Sequence, residues 1–134
     1  MIRARLDLFR GLRAWKRGDY SSCVSRLEAG VDQLAASGRR ASPRIRLKLL
    51  IASALTKEVG VAQTVLNGLV NDILSDTTKS DHDKNYLLLV IEASCQRLGI
   101  PEPEAVVAAS RVYYARVSTE LVERYPIALL IPEK

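Results

Sequence analysis

The residues able to do chemistry are few and scattered. The single histidine, His82, stands between Asp81 and Asp83 where a helix is predicted to begin. Acidic residues at such a place cap free N–H groups and complement the helix dipole, so the cluster reads as a cap rather than as a metal site. Zinc or iron would need several His or Cys ligands at characteristic spacing, and the chain offers one His and two distant Cys. No metal or other cofactor is expected. Cys23 and Cys95 both sit among apolar residues at helical spacing, where a thiol behaves as a small core hydrophobe rather than as half of a disulfide or redox pair. The carboxylate pairs Glu102 and Glu104, and Glu120 and Glu123, fall near predicted helix ends in polar settings and read as solvated surface, not as a general acid and base. A Gly-rich phosphate loop, a Gly-x-Ser-x-Gly elbow and a Cys–His constellation are all missing from the sequence. The expectation is a protein that is not an enzyme.

Charge is the feature with functional content. The net charge of +5 conceals an asymmetry: residues 1–50 carry 12 Lys and Arg against 4 Asp and Glu, whereas residues 51–134 carry 8 against 11. Arg3, Arg10, Arg13 and Arg17 share one side of the first predicted helix, and Arg39, Arg40, Arg44, Arg46 and Lys48 gather around the next hairpin junction. Such a field attracts acidic or phosphorylated protein segments, or the phosphates of a nucleic acid. Aromatic residues make up only 5% of the chain, and Tyr113, Tyr114 and Tyr125 lie in the half without positive surplus. Stacking platforms for single strands are therefore not evident, and a protein partner is the preferred reading with RNA as the alternative.

The elements that must position these charges are helices. Hydrophobic residues at 48% and charged residues at 26% of 134 match one globular domain. The longest apolar runs, Leu87–Ile91 and Ile127–Ile131, are far short of the roughly 20 residues that span a bilayer. The opening Met-Ile-Arg-Ala-Arg-Leu-Asp has no unbroken apolar segment of the secretory kind, so an intracellular, cytoplasmic location is expected. Gly18, Gly38, Gly60 and Gly99 each follow a periodic apolar segment and mark helix ends. Ser42 before Pro43, and Ser80 or Asp81, mark helix starts, as do Pro101 and Pro103 with Glu102 and Glu104. Six helices follow, at about 2–17, 20–37, 43–57, 61–75, 82–98 and 103–124. In the second, Cys23, Val24, Leu27, Val31 and Leu34 form one apolar face; in the fourth, Ala62, Val65, Leu66, Leu69 and Ile73 do so. The third and fifth are apolar on several sides and are expected at the centre. Val106, Val107, Val112 and Val117 are β-branched, but without alternation they do not suggest a sheet. Short links make consecutive helices antiparallel, giving three hairpins.

Residues 4–37 resemble a tetratricopeptide repeat, a helix-turn-helix unit of 34 residues. The turn Lys16-Arg17-Gly18-Asp19-Tyr20 is similar to that family's Gly-Asp-Tyr corner. Gly11, Cys23 and Gly30 stand where the family places small residues, and Leu27 where it places a large one. Asp7 and Arg10 depart from the large apolar residues early in the family's first helix, and no proline closes the unit after Ala36. Cys23, Ala62 and Ala105, taken as equivalents, are 39 and 43 residues apart, so the later pairs follow the pattern only loosely. The resemblance implies an all-α stack of antiparallel hairpins in a superhelix; a compact helical bundle is the alternative. It also implies that first helices line a concave surface, which would bring Arg5, Leu8, Leu12, Trp15 and Lys16 toward a groove. The Lys and Asn pairs with which some members clamp a terminal carboxylate are not recognisable. The expected role is that of an adaptor or scaffold-like domain, spanning 1–124. The tail, 125–134, with two prolines bracketing five apolar residues, is expected to be extended and to pack on the domain's own core or on a partner, a second copy of the chain included.

Overall fold

A computed structural model describes residues 2–109 and 117–130; Val112, Tyr113, Tyr114 and the end of the tail, 131–134, lie outside the described residues. The fold is all-α, and no strand occurs among the described residues. The elements are α1 (Ile2–Arg17), α2 (Tyr20–Ala36), α3 (Pro43–Thr56), α4 (Val59–Ser75), α5 (Asp81–Leu98), α6 (Glu104–Ala109) and α7 (Thr119–Arg124), followed by a 3₁₀ turn at Ile127–Leu129. α1 packs on α2, α3 on α4 and α5 on α6, and α3 also touches α2 and α5.

Local chemistry sets the boundaries. Asp19 caps α2, its carboxylate accepting from the Ser22 N–H at 3.2 Å, which holds that carboxyl below its ordinary range. Ser42 caps α3 ahead of Pro43, and Ser80 caps α5 by accepting from the Asp83 N–H at 3.1 Å. Gly99 takes the left-handed backbone that ends α5, at φ +70°.

The helix-helix contacts explain the small residues. A Cβ placed on Gly11 would stand 2.5 Å from Leu27 Cδ2, and one on Gly30 would stand 2.6 Å from Leu8 Cδ2. The first two helices therefore interlock side chain into notch. Asp7, on the face turned toward α2, is nearly buried and accepts from Gln33 Nε2 at 2.9 Å and Arg26 Nη1 at 3.3 Å. Those two donors are why a carboxylate is tolerated where an apolar residue would otherwise stand. α3 is the centre of the core: every residue from Arg46 to Ala54 is buried. α5 contributes Tyr86, Leu88, Val90 and Ile91 to the same core.

Three expectations need correction. Gly60 does not end a helix: it lies inside α4, and α3 is closed by Lys57 in the left-handed conformation at φ +63°. The positive-φ glycine of this hairpin is Gly68 at +80°, which with Asn67 breaks α4 in the middle. A continuous helix over 103–124 is not formed, because Val117 and Ser118 are non-helical and the Ser118 side chain starts α7 by accepting from the Leu121 N–H at 3.2 Å. The tail, through Leu130, is not extended but coils into the 3₁₀ turn against α5. Tyr125 and Leu130 are buried in the chain's own core, and the Tyr86 hydroxyl donates to the Tyr125 carbonyl at 2.8 Å while accepting from the Ile127 N–H at 3.4 Å.

Candidate functional site

The basic half of the chain is distributed over three places, and two of them bury a cationic residue. Arg44 and Lys48 are one turn apart on α3 and share a side of it. Lys48 is only 7% exposed, and its Nζ lies 5.8 Å from the centroid of the Trp15 ring on α1. Trp15 is held in turn by an edge-to-face contact with Tyr20, at 5.6 Å and 73°. Burial holds the Lys48 amine below its ordinary range, and the cations Arg44, Arg124 and Lys16 press it the same way. Among the described residues no carboxylate is paired with it. Beside this cluster, Arg44 and Arg124 also edge a pocket of about 210 Å³ floored by Leu47, Ile73, Leu87 and Tyr125. Lys48, expected on an open surface, is thus inside, with the Trp15 face as its principal partner.

Arg46 is a second correction. It points away from Lys48, as residues two apart on a helix do, and is 6% exposed. Its Nε donates to the Ala41 carbonyl at 3.0 Å and its Nη2 to Asp72 Oδ2 on α4. Arg40 Nη2 reaches the same Asp72 oxygen at 3.2 Å. Arg40 keeps most of its side chain in solvent, and Arg39 and Arg44 are exposed.

The third place is the outer side of α1. Arg3, Arg5, Arg10, Arg13, Lys16 and Arg17 are exposed, and Arg13 stacks its guanidinium 5.8 Å from the centre of the Phe9 ring. Arg10, Arg13 and Arg17, together with Arg26, line a shallow depression of about 540 Å³. Leu8 and Leu12, expected to face a groove, are half-buried and packed against the core, Leu8 filling the notch at Gly30.

Neither thiol is poised for reaction. Cys23 and Cys95 are free and buried, and desolvation pushes both up to about 11. Among the described residues no three metal-ligating side chains gather. Nor is any helix there long and apolar enough to cross a membrane. Comparisons with protein-family models, curated proteins and solved structures find no match.

Trp15 and Lys16 of the expected groove lie near Arg44 and Lys48 of the expected junction, whereas Arg3, Arg5, Arg10, Arg13 and Arg17 stand on the outer side of α1 and Arg39, Arg40 and Arg46 gather apart from them, the last two on Asp72. Arg124, which joins the first four from the acidic half, and Asp72, which neutralises part of the junction, are not among the expected site residues. No local signal marks Arg124, because its place is set by the chain's return after residue 117. Asn67-Gly68 is a turn dipeptide inside a helical pattern, and that signal was available.

Proposed function

We propose that this chain is a non-enzymatic protein-interaction domain, an adaptor of the tetratricopeptide-like hairpin kind, which takes an acidic or phosphorylated segment of a protein partner at Trp15, Lys16, Arg44, Lys48 and Arg124. The observation that carries this reading is Lys48: a cation whose side chain is packed against Trp15 and set among three other cations, with no carboxylate of the described chain beside it. Like charges gathered without a matching anion cost stability, and such costs persist where a ligand supplies the missing partner. A carboxylate or phosphate arriving there would make charge-assisted hydrogen bonds. The adjoining pocket, lined by Leu47, Ile73 and Leu87 with Asp76 and Lys79 beside the two arginines, would receive a neighbouring side chain of the segment.

Nucleic acid is a second reading, and the observation favouring it is the open depression between α1 and α2, where Arg10, Arg13 and Arg17 stand exposed beside Arg26, which is paired with Asp7. The two are separated by titrating fluorescent acidic and phosphorylated peptides, and mixed-sequence RNA and DNA, into the wild type, Lys48→Gln and Arg10→Glu/Arg13→Glu. The proposal expects saturable peptide binding that Lys48→Gln weakens by about 10- to 100-fold, the weight of one charge-assisted hydrogen bond. Saturable RNA binding lost in Arg10→Glu/Arg13→Glu, with no peptide bound, would overturn it.

A further inference from the structure

The opposite side of α3 carries a separate site with its own polarity. A cavity of about 150 Å³ lies between α2, α3 and α4, with Val31, Ala35, Leu49, Val61 and Val65 as its apolar wall. An apolar space of that size accepts a body as large as benzene. Its two ends differ in charge. At one end are Arg39, Arg40 and Arg46, where Arg40 and Arg46 share a single oxygen of Asp72, leaving a surplus of positive charge. The Arg46 side chain is only 8% exposed, so this charge is fixed in place and poorly screened by water. The break in α4 makes the room: a Cβ on Gly68 would stand 2.3 Å from Arg40 Nη2. At the other end are Glu28 and Asp32, one turn apart on α2, and neither has an ion-pair partner among the described residues.

We propose that this cavity is a docking site for an extended segment of a protein partner carrying one large aliphatic residue, with a basic residue on one side of it and an acidic residue on the other. Complementarity sets the order: the aliphatic side chain enters the apolar wall, the acid meets Arg39 and Arg40, and the base meets Glu28 and Asp32. Glu28 and Asp32 lie on α2, which ends at Ala36, and Arg39 and Arg40 follow the turn beyond it, so Val31 and Ala35 fall between Glu28 and the two arginines along the chain. A five-residue extended segment spans about 13 Å at roughly 3.3 Å per residue, enough to carry one charge on either side of a central aliphatic residue. Such a segment has no net charge, unlike the acidic ligand assigned to the Lys48 side, and the two sites are independent.

The test uses the full chain and end-blocked peptides in which Lys-Ser-Leu-Ser-Glu is embedded in neutral Gly/Ser flanks, with binding followed by isothermal titration. Saturable binding is expected, weakened about tenfold or more when Leu is replaced by Ala. Peptides with Glu in both or Lys in both charged positions should bind several-fold more weakly. The double variant Glu28→Lys/Asp32→Lys, which changes only exposed or half-exposed side chains, should reverse the preference toward the peptide with two Glu. Lys48→Met should leave all of these affinities unchanged. Absence of binding to any peptide, indifference to the Leu or to the charge order, or loss of binding in Lys48→Met would each overturn the proposal; the last would transfer the ligand to the Lys48 side.

Discussion

Replacing Lys48 by methionine should make the protein more stable and less able to bind, and the two effects should part with pH. Methionine keeps the length of the side chain and a favourable contact with the Trp15 ring, so the lost cation–π attraction, about 0.5–2 kcal/mol, is largely offset by a sulfur–aromatic contact of about 0.3–1.5 kcal/mol. What remains is relief from burying an ammonium beside Arg44, Arg124 and Lys16. The Lys48 amine is only partly withdrawn from solvent, so screening limits this relief to about 1 kcal/mol or less, equivalent here to a rise in Tm of up to roughly 4 °C. The pH dependence has a fixed sign. The folded-state pKa of Lys48 lies below the unfolded value of 10.5, so at neutral pH both states carry the charge and the whole cost is present. As pH rises through the folded pKa toward 10.5, the folded state sheds its proton first, the wild type gains stability, and the advantage of the variant should shrink. Urea titrations of both proteins at pH 7 and pH 10 measure this directly. Binding of an acidic peptide at pH 7 should fall by about 10- to 100-fold in the same variant. A variant less stable than the wild type at pH 7, or an advantage that grows with pH, would refute the reasoning.

Two further outcomes check the packing that positions the site. Gly11→Ala should destabilise by about 1 kcal/mol, because overpacking against the fully buried Leu27 costs about 1–3 kcal/mol while the gain in helix propensity returns about 1. In a Leu27→Ala background the obstruction is gone, so the same substitution should become stabilising by about 1 kcal/mol; equal effects in both backgrounds would show that the notch does not matter. Tyr86→Phe removes the hydroxyl that joins the Tyr125 carbonyl to the Ile127 N–H, and should cost about 1–3 kcal/mol in chemical denaturation and raise hydrogen exchange at Ile127.

The helical hairpins were legible because their signals are local. Ser42-Pro43, the Gly18-Asp19 corner and the three- and four-residue spacing of Cys23, Leu27 and Val31 each act within a turn or two of the backbone, and the fold obeys them. The errors fall where a local signal competes with packing. Gly60 looks like a stop, yet Lys57 takes the left-handed position three residues earlier and α4 begins before the glycine. Residues 103–124 hold no internal glycine or proline after Pro103, so nothing in their composition announces that Ser118 will leave the helix. Ser118 is bound from outside: its N–H donates to the Asp83 carboxylate at 3.0 Å, a contact made across 35 positions of chain.

The site was legible as charge but not as place. Periodicity assigns Arg46 and Lys48 to opposite sides of α3, and it also shows that α3 is apolar on several sides, yet it cannot say what each cation meets. Those answers come from Asp72 in α4 and Trp15 in α1, and they give the two residues different meanings. Arg46 is buried and matched by hydrogen bonds to the Ala41 carbonyl and Asp72, so its removal would leave the Ala41 carbonyl without that donor and Asp72 with only the exposed Arg40, and would chiefly harm the fold. Lys48 is buried beside an aromatic ring and three like charges, so its removal should relieve the fold and harm only recognition. Two cations two residues apart on one helix are therefore expected to respond to the same methionine substitution with opposite signs in stability. That difference, rather than the total charge of the N-terminal half, would separate a residue that serves the architecture from the one proposed to meet a partner.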